Sequence, residues 1–169
     1  PRVERLAGGG VATPRATDAE LPASLRAAAR FKAPSFWTPD ALAPPLLANG
    51  KALPLAAMNA LGALLVAGDP EAMLEVKQAC TAASLADFAW DVFQAWLSAG
   101  APAKEKWAFL ALGHFGDDGT ARKLTPLIRA WPGESQHARA VTGLDVLATI
   151  GSDVAMMMLN GIAQKGKFK

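Results

Sequence analysis

Tyrosine is absent from this chain of 169 residues, cysteine occurs once and histidine twice. Each scarcity excludes some chemistry. A single cysteine, Cys80, permits no internal disulfide and points to a reducing compartment. Two histidines and one cysteine leave too few parts for a Cys–His or Ser–His nucleophilic site, and no Gly-x-Ser-x-Gly elbow is present. No apolar run reaches the ~18–20 residues of a membrane span, and the N-terminus lacks the basic–apolar–small order of a signal peptide. The expectation is a cytoplasmic protein with no membrane association, no catalytic residues, no metal ligands and no cofactor. The first residue is proline rather than methionine, which reads as a piece of a longer protein.

Charge is equally sparse. The net charge of +2 is too small to imply a nucleic-acid partner. Its distribution is uneven: residues 54–100 contain one base, Lys77, against five acids, and both flanking regions are mildly basic. A solvated surface accounts for that pattern.

What the chain does have is apolar surface. Hydrophobic residues make up 51% of it, enough for a sizeable core, and its 12 prolines and 15 glycines fall mostly between apolar segments. Residues 1–53 read as an N-terminal irregular segment with one or two helices. The stretch 1–20, with Gly8, Gly9 and Gly10, has no apolar period and reads as loop. "LPASLRAAARF" (21–31) reads as a helix. A proline-punctuated connector follows, with a short helix near 39–43 and with Phe36 and Trp37 pinning it to the core.

From residue 54 to residue 169 the texture is helical. Apolar spacing predicts helices over 54–67, 70–80, 84–99, 103–115, 119–131, 135–150 and 153–166. In the third of these, Leu85, Phe88, Ala89, Val92, Phe93, Trp96 and Leu97 form one broad stripe, with Asp87, Asp91, Gln94 and Ser98 on the wet side. Trp96 and Trp107 are expected in the core and Trp90 at its edge. Met158 shares the core face of the last helix with Ala155, Leu159 and Ile162, and Met157 points away from it.

Three joints share one grammar: "LLVAGDPEAML", "LGHFGDDGTARKL" and "LATIGSDVAMMML". In each, an apolar helix ends at a glycine, Gly68, Gly116 or Gly151, which takes a left-handed conformation without a Cβ clash. Asp69, Asp117 or Ser152 then caps the next helix, its oxygen accepting from N–H groups that lack intrahelical partners. An acid pair or metal site at Asp117 and Asp118 is the rival reading. His114 is nearby, but no further ligand joins the cluster. His114 itself reads as a partly buried histidine near a helix C-terminus.

A helix pair recurring at roughly 35–45 residues is the mark of an α-solenoid. "WAFLALGHFGDDGTARKLTPLI" and "HARAVTGLDVLATIGSDVAMMMLNGIA" resemble HEAT-like repeats. More specifically, "FWTPDALAPPLLANGKALPLAAMNALG" with "AVTGLDVLATIGSDVAMMMLNGIAQKGKF" resembles the helical region of a bacterial family that includes proteins of the molybdate metabolism regulator type and WGR-domain proteins. The resemblance implies an all-α, HEAT-like α–α superhelix inside a longer protein, with no established catalytic residues.

The function that follows is a non-catalytic protein–protein interaction scaffold, its partner another protein or neighbouring domains of the same chain. The second helices of the pairs would form the binding surface, with exposed Glu71, Glu75, Arg122, Lys123, Arg129 and Asn160 as candidate contacts. The alternatives are nucleic-acid binding through a basic ridge (Arg122, Lys123, Arg129, Lys165, Lys167, Lys169), or a helical segment of an enzyme whose active site lies outside this chain. Pro126 is expected to bend the helix that carries the ridge.

Overall fold

The computed structural model describes residues 13–26 and 31–164. The first twelve residues of the loop expected at 1–20, residues 27–30 of the helix expected at 21–31, and the last lysines of the basic ridge lie outside the described residues; the described part of that loop includes a 3-10 turn, Asp18–Glu20. The described chain is all-helical, with eight α-helices, three isolated β-bridges and no β-strand. We label the helices α1 (Ala23–Arg26), α2 (Leu55–Ala67), α3 (Pro70–Ala79), α4 (Ala82–Ser98), α5 (Trp107–Phe115), α6 (Asp118–Ala130), α7 (His137–Ile150) and α8 (Asp153–Gln164).

The helices start and stop where local chemistry directs. Gly68 and Gly151 end α2 and α7 with φ of 69° and 68°, a left-handed turn that costs glycine little. Gly116 departs from the expectation. Its φ is −70° and its backbone extended, so positive φ is not why glycine stands there. A Cβ at this position would collide with the backbone carbonyl oxygen of Leu112, in the last turn of α5, and would also lie 2.9 Å from Ile150 Cδ1 and 3.0 Å from Thr120 Cγ2. Glycine is required at that joint first by the Leu112 carbonyl, with the side chains of α7 and α6 closing in behind it. Trp131–Glu134 forms a 3-10 turn between α6 and α7. The segment before α5 also begins as a 3-10 turn, Ala103–Glu105, so the α-helix itself starts only at Trp107. α6 runs continuously through Pro126, which is exposed.

α5 packs against α2 and α7, and α6 packs against α8. α7 in turn packs across α6 and α8, while α4 lies along α5. Gly143 of α7 lets that helix approach α6 closely, since a Cβ there would be 2.6 Å from Ile128 Cγ1. The core is continuous from Leu61 in α2 through Phe93, Phe109, Leu124 and Leu147 to Ile162 in α8. Ala155 and Ile162 are buried, with Met158 and Leu159 half-buried beside them.

Two aromatic groups fill the interior. Phe93, Trp96, Phe109 and Trp131 form one, with Phe93 and Phe109 ring centroids 5.0 Å apart. Phe31, Trp37, Phe88 and Trp107 form the other. Trp96 is buried as expected. Trp107 is only half-buried, because it closes the outer side of the second group instead of entering the first.

The segment 34–53 is a belt laid across the helices. Trp37 is buried and its Nε1 donates to Asn59 Oδ1 at 2.8 Å. Ala43 N donates to Asp91 Oδ2 at 2.7 Å, and Leu46 N to Ser84 Oγ at 2.8 Å. Thr81 N returns a bond to Leu46 O at 2.8 Å. These bonds satisfy backbone groups that no regular element pairs.

Candidate functional site

At each of the three joints the polar side chain after the glycine bonds to the helix that follows. Asp69 Oδ1 accepts from Glu71 N at 3.0 Å. Ser152 Oγ accepts from Ala155 N at 3.1 Å. Asp117 is the most engaged: its Oδ1 accepts from Thr120 N at 3.1 Å and from Thr120 Oγ1 at 3.2 Å, while its own N–H donates to Thr120 Oγ1 at 3.1 Å. This reciprocal box satisfies two donors at the start of α6. A carboxylate oxygen held this way serves the helix. Among the described residues, no group of three or more His, Cys, Asp or Glu side chains could hold a metal ion.

The candidate partner residues lie on three helices, α3, α6 and α8. Glu71 lies exposed in the first turn of α3, Arg122 and Arg129 are exposed on α6, and Asn160 is exposed on α8. Glu75 was expected to be exposed and is not. It is half-buried, and its Oε1 accepts from Ser24 N at 2.8 Å, joining α3 to α1. Those bonds to Ser24 hold its carboxyl below the usual range. Lys123 lies over an aromatic ring: its Nζ stands 4.4 Å from the centre of the Trp90 ring. That cation–π contact fastens α6 to α4 and is worth about 0.5–1 kcal/mol at an exposed site.

His114 is half-buried in the last turn of α5. Burial, and the Lys77 charge beside it, hold its imidazole below the ordinary value of 6.5. Cys80 is buried and its thiol is pushed up to about 11 by desolvation.

Sequence reasoning missed Ser84 and Asp91, which hold the belt. Asp91 was placed on the wet side of α4, yet it is half-buried and bonded to Ala43 N. Only Ser84 had a local sign. It lies three residues after Thr81, in the spacing of a helix start, and accepts from Thr81 Oγ1 at 2.7 Å.

Val66, Leu74, Leu110, Val141, Met156 and Met157 are the other notable surface residues, all large, apolar and exposed. Met157 is the most open, at 64%. Among the described residues, no helix is long and apolar enough to cross a membrane.

The chain is 45% identical over 141 residues to an uncharacterized protein, YehI, of Escherichia coli strain K12. The match takes in 80% of this chain and 12% of that much longer relative. No family model and no solved structure matches the chain.

Proposed function

We propose that the chain is a non-catalytic protein–protein interaction module, built as a HEAT-like run of stacked helical pairs within a longer bacterial protein. The observation that carries this reading is the like-on-like packing of α5 with α7 and of α6 with α8. Stacking of that kind buries a core by repetition and leaves long lateral surfaces for contact. The exposed apolar residues of α7 and α8, Val141, Met156 and Met157, support it, methionine being an adaptable contact residue. So does the size of the Escherichia coli relative, of which this chain matches 12%. The surface residues of choice are Glu71, Arg122, Arg129 and Asn160, with Met157 added.

The test is site-specific photo-crosslinking in the parent bacterium, with the crosslinker at position 157 or 122 and a control at exposed Gly133. The expected products join this chain to protein, either a separate subunit or another segment of the same polypeptide. A companion titration with duplex DNA at physiological salt should show nothing tighter than the non-specific range of about 10⁻⁴–10⁻⁶ M. Salt-sensitive binding well below that range, weakened by Arg122→Ala or Arg129→Ala, would overturn the scaffold reading in favour of a nucleic-acid face.

A further inference from the structure

The C-terminal ends of α5 and α7 meet the joint between α3 and α4 at a cleft of about 150 Å³. Lys77 lines it from α3, His114 from α5, Thr149 from α7 and Asp117 from the start of α6, together with Gly113 and Gly116. Two groups capable of positive charge therefore converge on one space, close enough for Lys77 to disfavour protonation of His114. Among the described residues neither the Lys77 ammonium nor the His114 ring nitrogens have a hydrogen-bond or ion-pair partner. Asp117, the acid lining the cleft, already has its Oδ1 occupied by Thr120 N and Oγ1. The Thr149 hydroxyl hydrogen is taken by Asp145 O at 2.9 Å. What the cleft offers a ligand is thus the Lys77 and His114 side chains, beside an Asp117 carboxylate whose Oδ1 is committed to Thr120 but whose charge remains.

We infer that this cleft binds a small oxyanion, a phosphate or a carboxylate group, between Lys77 and His114. The volume of about 150 Å³ gives room for such a group. A bound anion cancels the mutual repulsion of the two cations, and it brings His114 to its protonated, two-donor form. Anion uptake and proton uptake are therefore linked at this site. The site is independent of the scaffold reading and stands or falls without it.

The experiment is an NMR titration of the His114 and His137 ring protons, with inorganic phosphate in one arm and acetate in the other, at constant ionic strength balanced with chloride. Exposed His137, outside the cleft, is the internal control. The expected result is a saturable shift at His114 and a rise in its apparent pKa of about one unit, as a nearby opposite charge produces. His137 should drift only slightly. Saturation in both arms assigns a general oxyanion site, and saturation with phosphate alone assigns a phosphate site; either supports the inference. Lys77→Gln, at an exposed position where folding is not at risk, should raise the His114 pKa in the absence of anion and abolish the saturable shift. The inference is overturned if His114 tracks His137 in both arms, or if Lys77→Gln responds as the parent protein does.

Discussion

Replacing Gly143 and Gly161 by alanine, one at a time, should shift stability in opposite directions. Both glycines lie inside helices, α7 and α8, where alanine is intrinsically favoured by about 0.8–1.0 kcal/mol. The difference lies in the space around each. At Gly161 an added Cβ meets only Arg129 Nη2, at 3.9 Å, an ordinary contact with the end of a flexible side chain. Gly161→Ala should therefore stabilise by roughly 0.5–1 kcal/mol. At Gly143 the same atom would sit 2.6 Å from Ile128 Cγ1 and 2.9 Å from its Cδ1, with Trp131 Cζ3 at 3.4 Å. Contact between carbons is optimal near ~3.5–4.0 Å. Ile128 is fully buried and Trp131 is 3% exposed, so neither has room to retreat. Overpacking of this kind costs about 1–3 kcal/mol, which at least offsets the gain in propensity. The expected net effect of Gly143→Ala is a loss of up to about 2 kcal/mol, or ~2–4 °C of Tm per kcal/mol for a chain of this size. Urea denaturation followed by tryptophan fluorescence and by far-UV circular dichroism measures both variants, with unchanged m-values as the check on two-state behaviour. If Gly143→Ala proves as stable as Gly161→Ala, the close approach of α7 to α6 does not exist and the packing order is wrong.

Asp117→Ala should destabilise more than Asp69→Ala, because Asp117 satisfies two donors of a buried threonine and Asp69 a single exposed one. Equilibrium unfolding should give about 0.5–2 kcal/mol for a lost cap, with Asp117 at the upper end and Asp69→Asn nearly neutral. The lowered Glu75 pKa means that the carboxylate's contribution is complete above its ordinary value of 4.5 and is lost as pH falls through the depressed one. Glu75→Gln should accordingly flatten the acid limb of the stability–pH curve, and an unaltered limb would show the bond to Ser24 to be idle. Cys80, buried and with its thiol at about 11, should react with a disulfide reagent only as fast as the protein opens. Labelling in native buffer at the rate seen in urea would contradict that burial.

The features legible in the sequence are those whose causes are local. A glycine followed by Asp or Ser between two apolar stripes announces a helix end and a helix start, and Asp69, Asp117 and Ser152 all bond to the turn that follows them. Gly116 shows where local reasoning stops. It is the same residue in the same pattern as Gly68, yet its φ is negative; the Leu112 carbonyl four positions back leaves no room for a Cβ, and Ile150, 34 positions further on, crowds the same spot, a contact no periodicity announces. Glu75 and Asp91 were hidden for a like reason. Both stand at wet positions of their helices, and both are claimed by backbone N–H groups of the N-terminal segment, 51 and 48 residues away in the chain. Lys123 belonged to an exposed basic row until the fold brought Trp90 beneath it.

The belt at 34–53 has a kinetic consequence. The helices from α2 onward meet neighbours mostly near in sequence, and such contacts close small loops and form early. The belt is held by bonds across 22, 38 and 48 residues, from Trp37 to Asn59, from Leu46 to Ser84 and from Ala43 to Asp91. Each closure requires its receiving helix to exist first, since Asn59 lies on α2 and Ser84 and Asp91 on α4. The belt is thus the last part to dock and the first to detach. In native-state hydrogen exchange, the amides of Ala43 and Leu46 should open at a lower free energy than those of Phe93 and Leu124, so that the chain unfolds from its N-terminal side while the helical stack behind it still stands.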